Sequence, residues 1–365
     1  MKLRQFFTKD SIFTISLIGA IISCLFGRFS PSFIDTKVIL ALFGLMLAIE
    51  ALKAMGVLKR LANSVTIWAK TKRQLVQALV GLSFVASMIL TNDVAILTLL
   101  PIFLLIATQS LTKKETIKGT VLIILAANLG SSVFPTGNPQ NIFLFSYYSI
   151  GIPTFLLWVL PFLGLSLVSL VALSSFVPNE SFTKQVATDV QKIEWKIGPV
   201  IGLGIMLAYV TNLLTSGRWV AVAVILVVIP FPKAIKKVDY FLLLTFVFFF
   251  LIVGNLAENQ WISDVLRRGV KETRTTLWIS AFVSQGISNV PAALLLAPFT
   301  DHARALVLGT NIGGMGTLIA SLANLIGYKV FTVYEPEVKG PFLRYFSMLN
   351  FGLFGLFLLV FSLLV

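Results

Sequence analysis

The chain has 365 residues, 57% of them hydrophobic and only 12% charged, with a mean hydropathy of +0.93. That balance leaves too little polar surface for a soluble domain and describes an all-α polytopic membrane protein. The net charge of +14 would suit nucleic acid in a soluble chain, but Lys and Arg here fall in loops between apolar runs, which excludes a nucleic-acid partner. The single cysteine, Cys24, excludes a disulfide framework, and the single histidine, His302, excludes a paired-histidine zinc motif.

In chain order, apolar segments fall near 11–27, 38–58, 74–108, 118–145, 152–177, 197–214, 218–231, 239–254, 276–300, 303–330 and 342–365. The run at 11–27 lacks a small-residue cleavage motif and leads straight into further apolar segments, so it reads as a first span. Glu50 and Lys53 lie one turn apart in the second segment, the spacing of a structural ion pair. The third segment carries Thr91-Asn92-Asp93 at its centre, with arms of roughly 15 residues that would reach about 22 Å, short of a ~30 Å hydrocarbon core. Short arms around a polar tip predict a re-entrant hairpin over 74–108. The same pattern returns at 276–300, where Ser288-Asn289 precedes Pro291, and the two tips are 197 residues apart.

A second pair is offset by 183 residues. Asn128-Leu129-Gly130 through Gly137-Asn138-Pro139-Gln140-Asn141 corresponds to Asn311-Ile312-Gly313-Gly314 through Ala320-Ser321-Leu322-Ala323-Asn324. Proline and glycine near mid-segment predict helices broken inside the membrane over 118–145 and 303–330, although close helix packing also accounts for glycine in membrane helices. Asn128, Gly130, Pro139, Asn141, Asn311, Gly313, Gly314 and Asn324 are the expected supports of the two breaks. Duplicated polar interruptions of apolar segments mark the binding site of a secondary transporter.

With the amino terminus cytoplasmic and each hairpin returning to its own side, 21 of the 29 Lys and Arg residues fall inside, a strongly positive-inside arrangement. The halves then have opposite orientation. Residues 1–177 form the first inverted repeat, 178–196 a cytoplasmic connector, and 197–365 a connecting helix plus the second repeat. Exposed N–H groups at half-helix amino termini suit an anion, whereas carbonyl, hydroxyl and amide oxygens suit Na⁺.

The chain resembles the ion-transporter superfamily of divalent-anion/sodium symporters, citrate transporters, arsenite permeases and sodium/proton antiporters. The features that match are the paired tips at Thr91-Asn92-Asp93 and Ser288-Asn289-Val290 and the paired Asn-x-Gly breaks at Asn128 and Asn311. The resemblance implies a cation role for Thr91, Asn92, Gly137, Ser288, Asn289 and Ala320, and substrate contact for Asn92, Asn138, Asn289 and Ser321. Asp93 and Val290 depart from the symporter pattern, in which a carboxylate-binding threonine is expected third. An ionised Asp93 would repel a dianion, yet it suits a cation or a proton; as a structural residue it would cap the second hairpin arm.

The expectation is a multi-pass inner-membrane carrier of a small anionic solute, coupled to Na⁺ or H⁺ and without any other cofactor, with room for homodimerisation. A sodium/proton antiporter using Asp93 is the alternative. An intramembrane protease built on Ser288 with His302 as base is the alternative of another class, and it lacks a second membrane carboxylate for an aspartyl version. Glu258, Asp264, Arg267 and Arg268 predict an amphipathic surface helix.

Overall fold

The computed structural model describes residues 11–181 and 196–365. These form α1 (Ser11–Phe26), α2 (Thr36–Ala54), α3 (Val57–Trp68), α4 (Lys72–Leu90), α5 (Asn92–Ser110), α6 (Lys113–Ser131), α7 (Pro139–Tyr147), α8 (Ile152–Ser175), α9 (Ile197–Val210), α10 (Arg218–Val228), α11 (Tyr240–Glu258), α12 (Gln260–Gly269), α13 (Thr273–Ile287), α14 (Asn289–Leu296), α15 (Ala303–Gly313), α16 (Leu322–Tyr334) and α17 (Lys339–Leu364). No strand occurs among the described residues. The expected connector at 178–196 lies mostly outside them.

The order helix, one-residue tip, helix, helix, seven- to eight-residue break, half-helix, long helix occurs twice. It runs through α4 to α8 and again through α13 to α17. In each copy the first hairpin arm packs on the first half of the broken helix, α4 on α6 and α13 on α15. Glycine makes that approach possible. A Cβ on Gly130 would lie 2.1 Å from the Phe84 carbonyl oxygen, and one on Gly313 would lie 2.5 Å from the Ser284 side chain. Both residues stand within the last turn of a helix, so their work is close packing, while the breaks follow them.

Between copies the elements interlock. The half-helix α16 packs on α5 of the first hairpin, and α7 packs on α14 of the second. The Tyr148 hydroxyl donates to the carbonyls of Ala297 and Thr300 at 3.0 and 2.8 Å, and Lys113 pairs with the buried Glu335. Outside this body, α1 packs on α11, and α2 packs on α9 and α10.

Three expectations change. The arms of the first hairpin have 19 residues each, about 28 Å at helical rise, so each is long and apolar enough to cross a membrane and the short-arm argument fails there. The arms of the second hairpin, at 15 and 8 residues plus the 3₁₀ turn Ala297–Phe299, are short. The segment at 38–58 ends early: Gly56 adopts φ +79° and turns the chain by 51° into α3, whose apolar stripe the hydropathy profile did not resolve. Finally, α9 and α10 have only 14 and 11 residues, roughly 21 and 16 Å, too short for separate crossings. They pack as a pair.

The packing contrast predicts opposite outcomes for two glycines, one inside the contact between α4 and α6 and one outside it. Gly130→Ala should lower the thermal midpoint markedly, because the Phe84 backbone cannot retreat, whereas Gly81→Ala on the open face of α4 should be neutral or gain up to about 1 kcal/mol. Differential scanning fluorimetry of the detergent-purified variants reads both.

Candidate functional site

Both hairpin tips hold a non-glycine residue in a backbone conformation that side chains disfavour. Thr91 has φ 70°, ψ 152°, and its counterpart Ser288 has φ 76°, ψ 154°. Such residues cost on the order of 1–3 kcal/mol and persist only where the surroundings over-determine them. Repetition to within a few degrees at equivalent positions makes the strain a built feature of the tip.

The two breaks are held by four buried asparagines that cross between copies. The Asn128 amide donates to Asn324 at 2.7 Å, and the Asn311 amide donates to Asn141 at 2.8 Å. Under the 183-residue offset these are the same interaction made in both directions. Asn138 donates to Asn311 at 3.1 Å, and its counterpart Ser321 donates to Asn128 at 3.0 Å. Asn324 also donates to the Gly314 and Thr317 carbonyls, as Asn141 does to those of Ser132 and Phe134. All six side chains are buried, where an unpartnered amide would cost roughly 1–3 kcal/mol.

The tips join this network differently. Asn92 donates to Asn128 at 3.1 Å while its own oxygen accepts from the Asp93 N–H at 3.0 Å. In the second copy the backbone N–H of Asn289 donates to the Ala320 carbonyl at 2.9 Å, and the Ser288 hydroxyl reaches the same oxygen at 3.4 Å. The second tip is therefore bolted to its break, and the first hangs by a side chain. Gln285 strengthens the bolt: its amide donates to Gly313 and Met315 carbonyls at 3.0 Å, and its oxygen accepts from the Thr317 N–H at 2.9 Å. The sequence reading missed Gln285. Its counterpart is Met88, so the search for duplicated polarity passed over it.

A cavity of about 40 Å³ lies where both tips meet both half-helix starts, room for a few waters. Its lining includes Asn92, Asp93, Pro139, Gln140, Ser288, Asn289 and Ser321 from the repeats, with Asp239 and Thr245 from α11. It shares Asp93, Pro139, Asp239, Leu242 and Leu322 with an open vestibule of about 510 Å³, which adds Thr91, Glu50, Lys53, Lys236 and Lys237. Glu50 and Lys53 form the expected ion pair at 3.2 Å. Asn138, Gly137 and Ala320 do not line the cavity. Asn138 caps α7 by accepting from the Asn141 N–H at 2.9 Å and stands behind the wall. Asp239 and Thr245 went unnoticed because Asp239 is the N-cap of α11, accepting from Leu242 at 3.0 Å, and Thr245 sits alone in a uniformly apolar helix.

Asp93 does not cap. It lies in the first turn of α5 without a side-chain bond to any turn N–H, and its Oδ1 is buried with no partner among the described residues. His302 contacts Thr273 and the Lys271 carbonyl at 3.3 and 2.9 Å and makes no pair with Ser288. Among the described residues no cluster of His, Cys, Asp and Glu suits a multivalent metal. The α12 helix over Gln260–Gly269 buries no residue, as a surface helix should.

Residues 7–305 match the citrate transporter family model. The chain belongs to the citrate transporter family. It is 33% identical over 296 residues to an uncharacterised transporter of Methanocaldococcus jannaschii, covering 80% of each chain. It is 31% identical over 308 residues to the inner membrane protein YbiR of Escherichia coli, covering 82% of this chain and 81% of that one. Its fold is similar to the crystal structure of the YdaH transporter of Alcanivorax borkumensis, with a TM-score of 0.55 at 15% identity over 90% of this chain and 85% of that one. The family consists of transporters, not enzymes, so the chain is a membrane transporter and the protease alternative falls.

The crossed amides make a quantitative prediction. Asn128→Ala strands Asn92, Asn324 and Ser321 together, and it should destabilise by roughly 2–4 kcal/mol, more than Asn324→Ala. A double-mutant cycle on Asn128 and Asn324, read by thermal unfolding, should give a coupling of about 1 kcal/mol or more.

Proposed function

We propose that the chain is a secondary active transporter in which a small anionic solute binds between the two hairpin tips and the two helix breaks, together with Na⁺ or H⁺. The observation that carries this reading is the cavity at the meeting point of all four irregular elements, with the unpartnered Oδ1 of Asp93 in its wall. An ionised carboxylate in low dielectric without a partner is costly, so the site gains from a bound proton or cation. Lys236 and Lys237 in the vestibule attract an anion from solution. Farther in, the lining has no basic side chain to hold it, only amides, hydroxyls and carboxylates. A solute anion therefore gains there from a coupling ion that offsets the carboxylates of Asp93 and Asp239, which links solute binding to ion binding.

Asn92 and Asn289 are the solute donors in this scheme, while Ser321 lines the solute space with a hydroxyl that donates to Asn128. Thr91, Asn92 and Asp93 supply oxygens for the cation at the first tip, and Ser288 and Asn289 do so at the second, whereas the Ala320 carbonyl is taken by the bonds that hold that tip. The repeated element order and the positive-inside charge distribution support inverted repeats working by alternating access, with the amino terminus cytoplasmic. A sodium/proton antiporter is the second reading. It is favoured by the presence of both Asp93 and Asp239 in a cavity lining that has no basic residue.

In proteoliposomes, Asn92→Ala and Asn289→Ala should abolish solute uptake while leaving insertion intact. Asp93→Asn should keep the fold but remove the pH dependence of transport or its dependence on the ion gradient. Wild-type rate, ion dependence and pH profile in Asp93→Asn would refute the coupling role. Sodium-driven proton flux in the absence of any anion would select the antiporter reading, and anion-dependent flux the symporter. At the strained tip, Ser288→Gly should be more stable than Ser288→Ala by about 1 kcal/mol, while both lose ion dependence equally through loss of the hydroxyl.

A further inference from the structure

A groove of about 610 Å³, separate from the proposed transport site, runs between the amino-terminal ends of α6 and α17. Lys113, Lys114 and Lys118 line it from α6, with Lys114 and Lys118 one turn apart, and Arg344 lines it from α17. Ile117, Tyr345 and Met348 supply an apolar floor. No carboxylate is part of the lining. Lys113 is paired with Glu335, which lies behind the groove, while Lys114, Lys118 and Arg344 form no ion pair among the described residues.

This concentration of charge is not explained by the helices that bear it. Lys113 and Lys114 stand in the first turn of α6, where the aligned peptide dipoles already present partial positive charge and cations are disfavoured, and Lys118 and Arg344 add to them one turn farther in. An anion in the groove reverses the sign of that cost. The floor narrows the choice of anion, because a free phosphate or carboxylate gains nothing from Ile117 and Met348, whereas an amphiphile fills both parts. Position agrees: α17 is 26 residues long, about 39 Å, so its first turn lies where the chain leaves the hydrocarbon. The positive-inside distribution puts this end at the cytoplasmic leaflet, where anionic lipids meet basic pockets between membrane helices.

We infer that this groove binds an anionic phospholipid, with its phosphate on Lys114, Lys118 and Arg344 and an acyl chain along Ile117 and Met348. Because α6 belongs to the first repeat and α17 to the second, the lipid clamps the two repeats at the same end as the Lys113–Glu335 pair. The site stands whether or not the transport reading holds.

The test uses full-length protein in a neutral detergent, titrated with phosphatidylglycerol, phosphatidylcholine or inorganic phosphate and followed by native mass spectrometry and thermal unfolding. Phosphatidylglycerol should bind and raise the midpoint, and the other two should not. The triple variant Lys114→Gln, Lys118→Gln, Arg344→Gln should weaken phosphatidylglycerol binding roughly a hundredfold, about fivefold per cation lost. The control Arg267→Gln, Arg268→Gln, Arg274→Gln should bind as wild type. Equal binding of phosphatidylcholine, an equal midpoint shift with phosphate alone, or undiminished binding by the triple variant would overturn the assignment. Should the triple variant not fold, Lys118→Gln alone must still lower the lipid-bound fraction, and an unchanged fraction counts against the site.

Discussion

Everything in the centre of this transporter depends on the cost of burying an amide where water is absent. Four asparagines, Asn128, Asn141, Asn311 and Asn324, sit inside helices whose other residues are chosen for apolar packing. None could remain there alone. Each finds its partner in the other copy, and the two copies are thereby forced into register at the point where their helices break. The freed carbonyls of the breaks are taken up by the same side chains, which is why an irregular backbone is tolerated so far from solvent.

Against that symmetric frame, the functional asymmetry is concentrated at the tips. The second tip is bonded through its backbone to Ala320 and braced by Gln285, whereas the first is linked by one side chain and carries an unpartnered carboxylate. A duplicated structure has diverged into a firm half and a half with an unpartnered carboxyl oxygen. Coupling an ion to a solute needs one group whose energy changes with occupancy, and Asp93, whose counterpart is Val290, is that group in the proposed transport scheme.

The sequence was a good guide wherever a pattern was written twice. The tips, the breaks and the supporting asparagines were found from offsets of 197 and 183 residues, and all of them converge in the fold. It was a poor guide where only one copy carries the feature. Gln285, Asp239 and Thr245 have no duplicated signal, and each looked like a local cap or an isolated polar residue. Hydropathy also misjudged length: the arms of the first hairpin extend past the apolar run to Lys72 and Ser110, because the Thr71 cap accepts the Gln74 N–H and α5 continues past Pro101 to its C-cap at Leu111.

Composition and periodicity alone determined that this is an all-α membrane transporter with a duplicated, polar-interrupted core, since lipid admits few other uses for such a pattern. Tertiary structure alone decided that the asparagines pair across copies and not within them, that Asn138 stands behind the cavity wall and not in it, and that α11 contributes Asp239 and Thr245 to the lining. Those outcomes depend on how two broken helices interlock, and the angle at which one half-helix meets another is set by packing between segments some 180 residues apart, which no local pattern records.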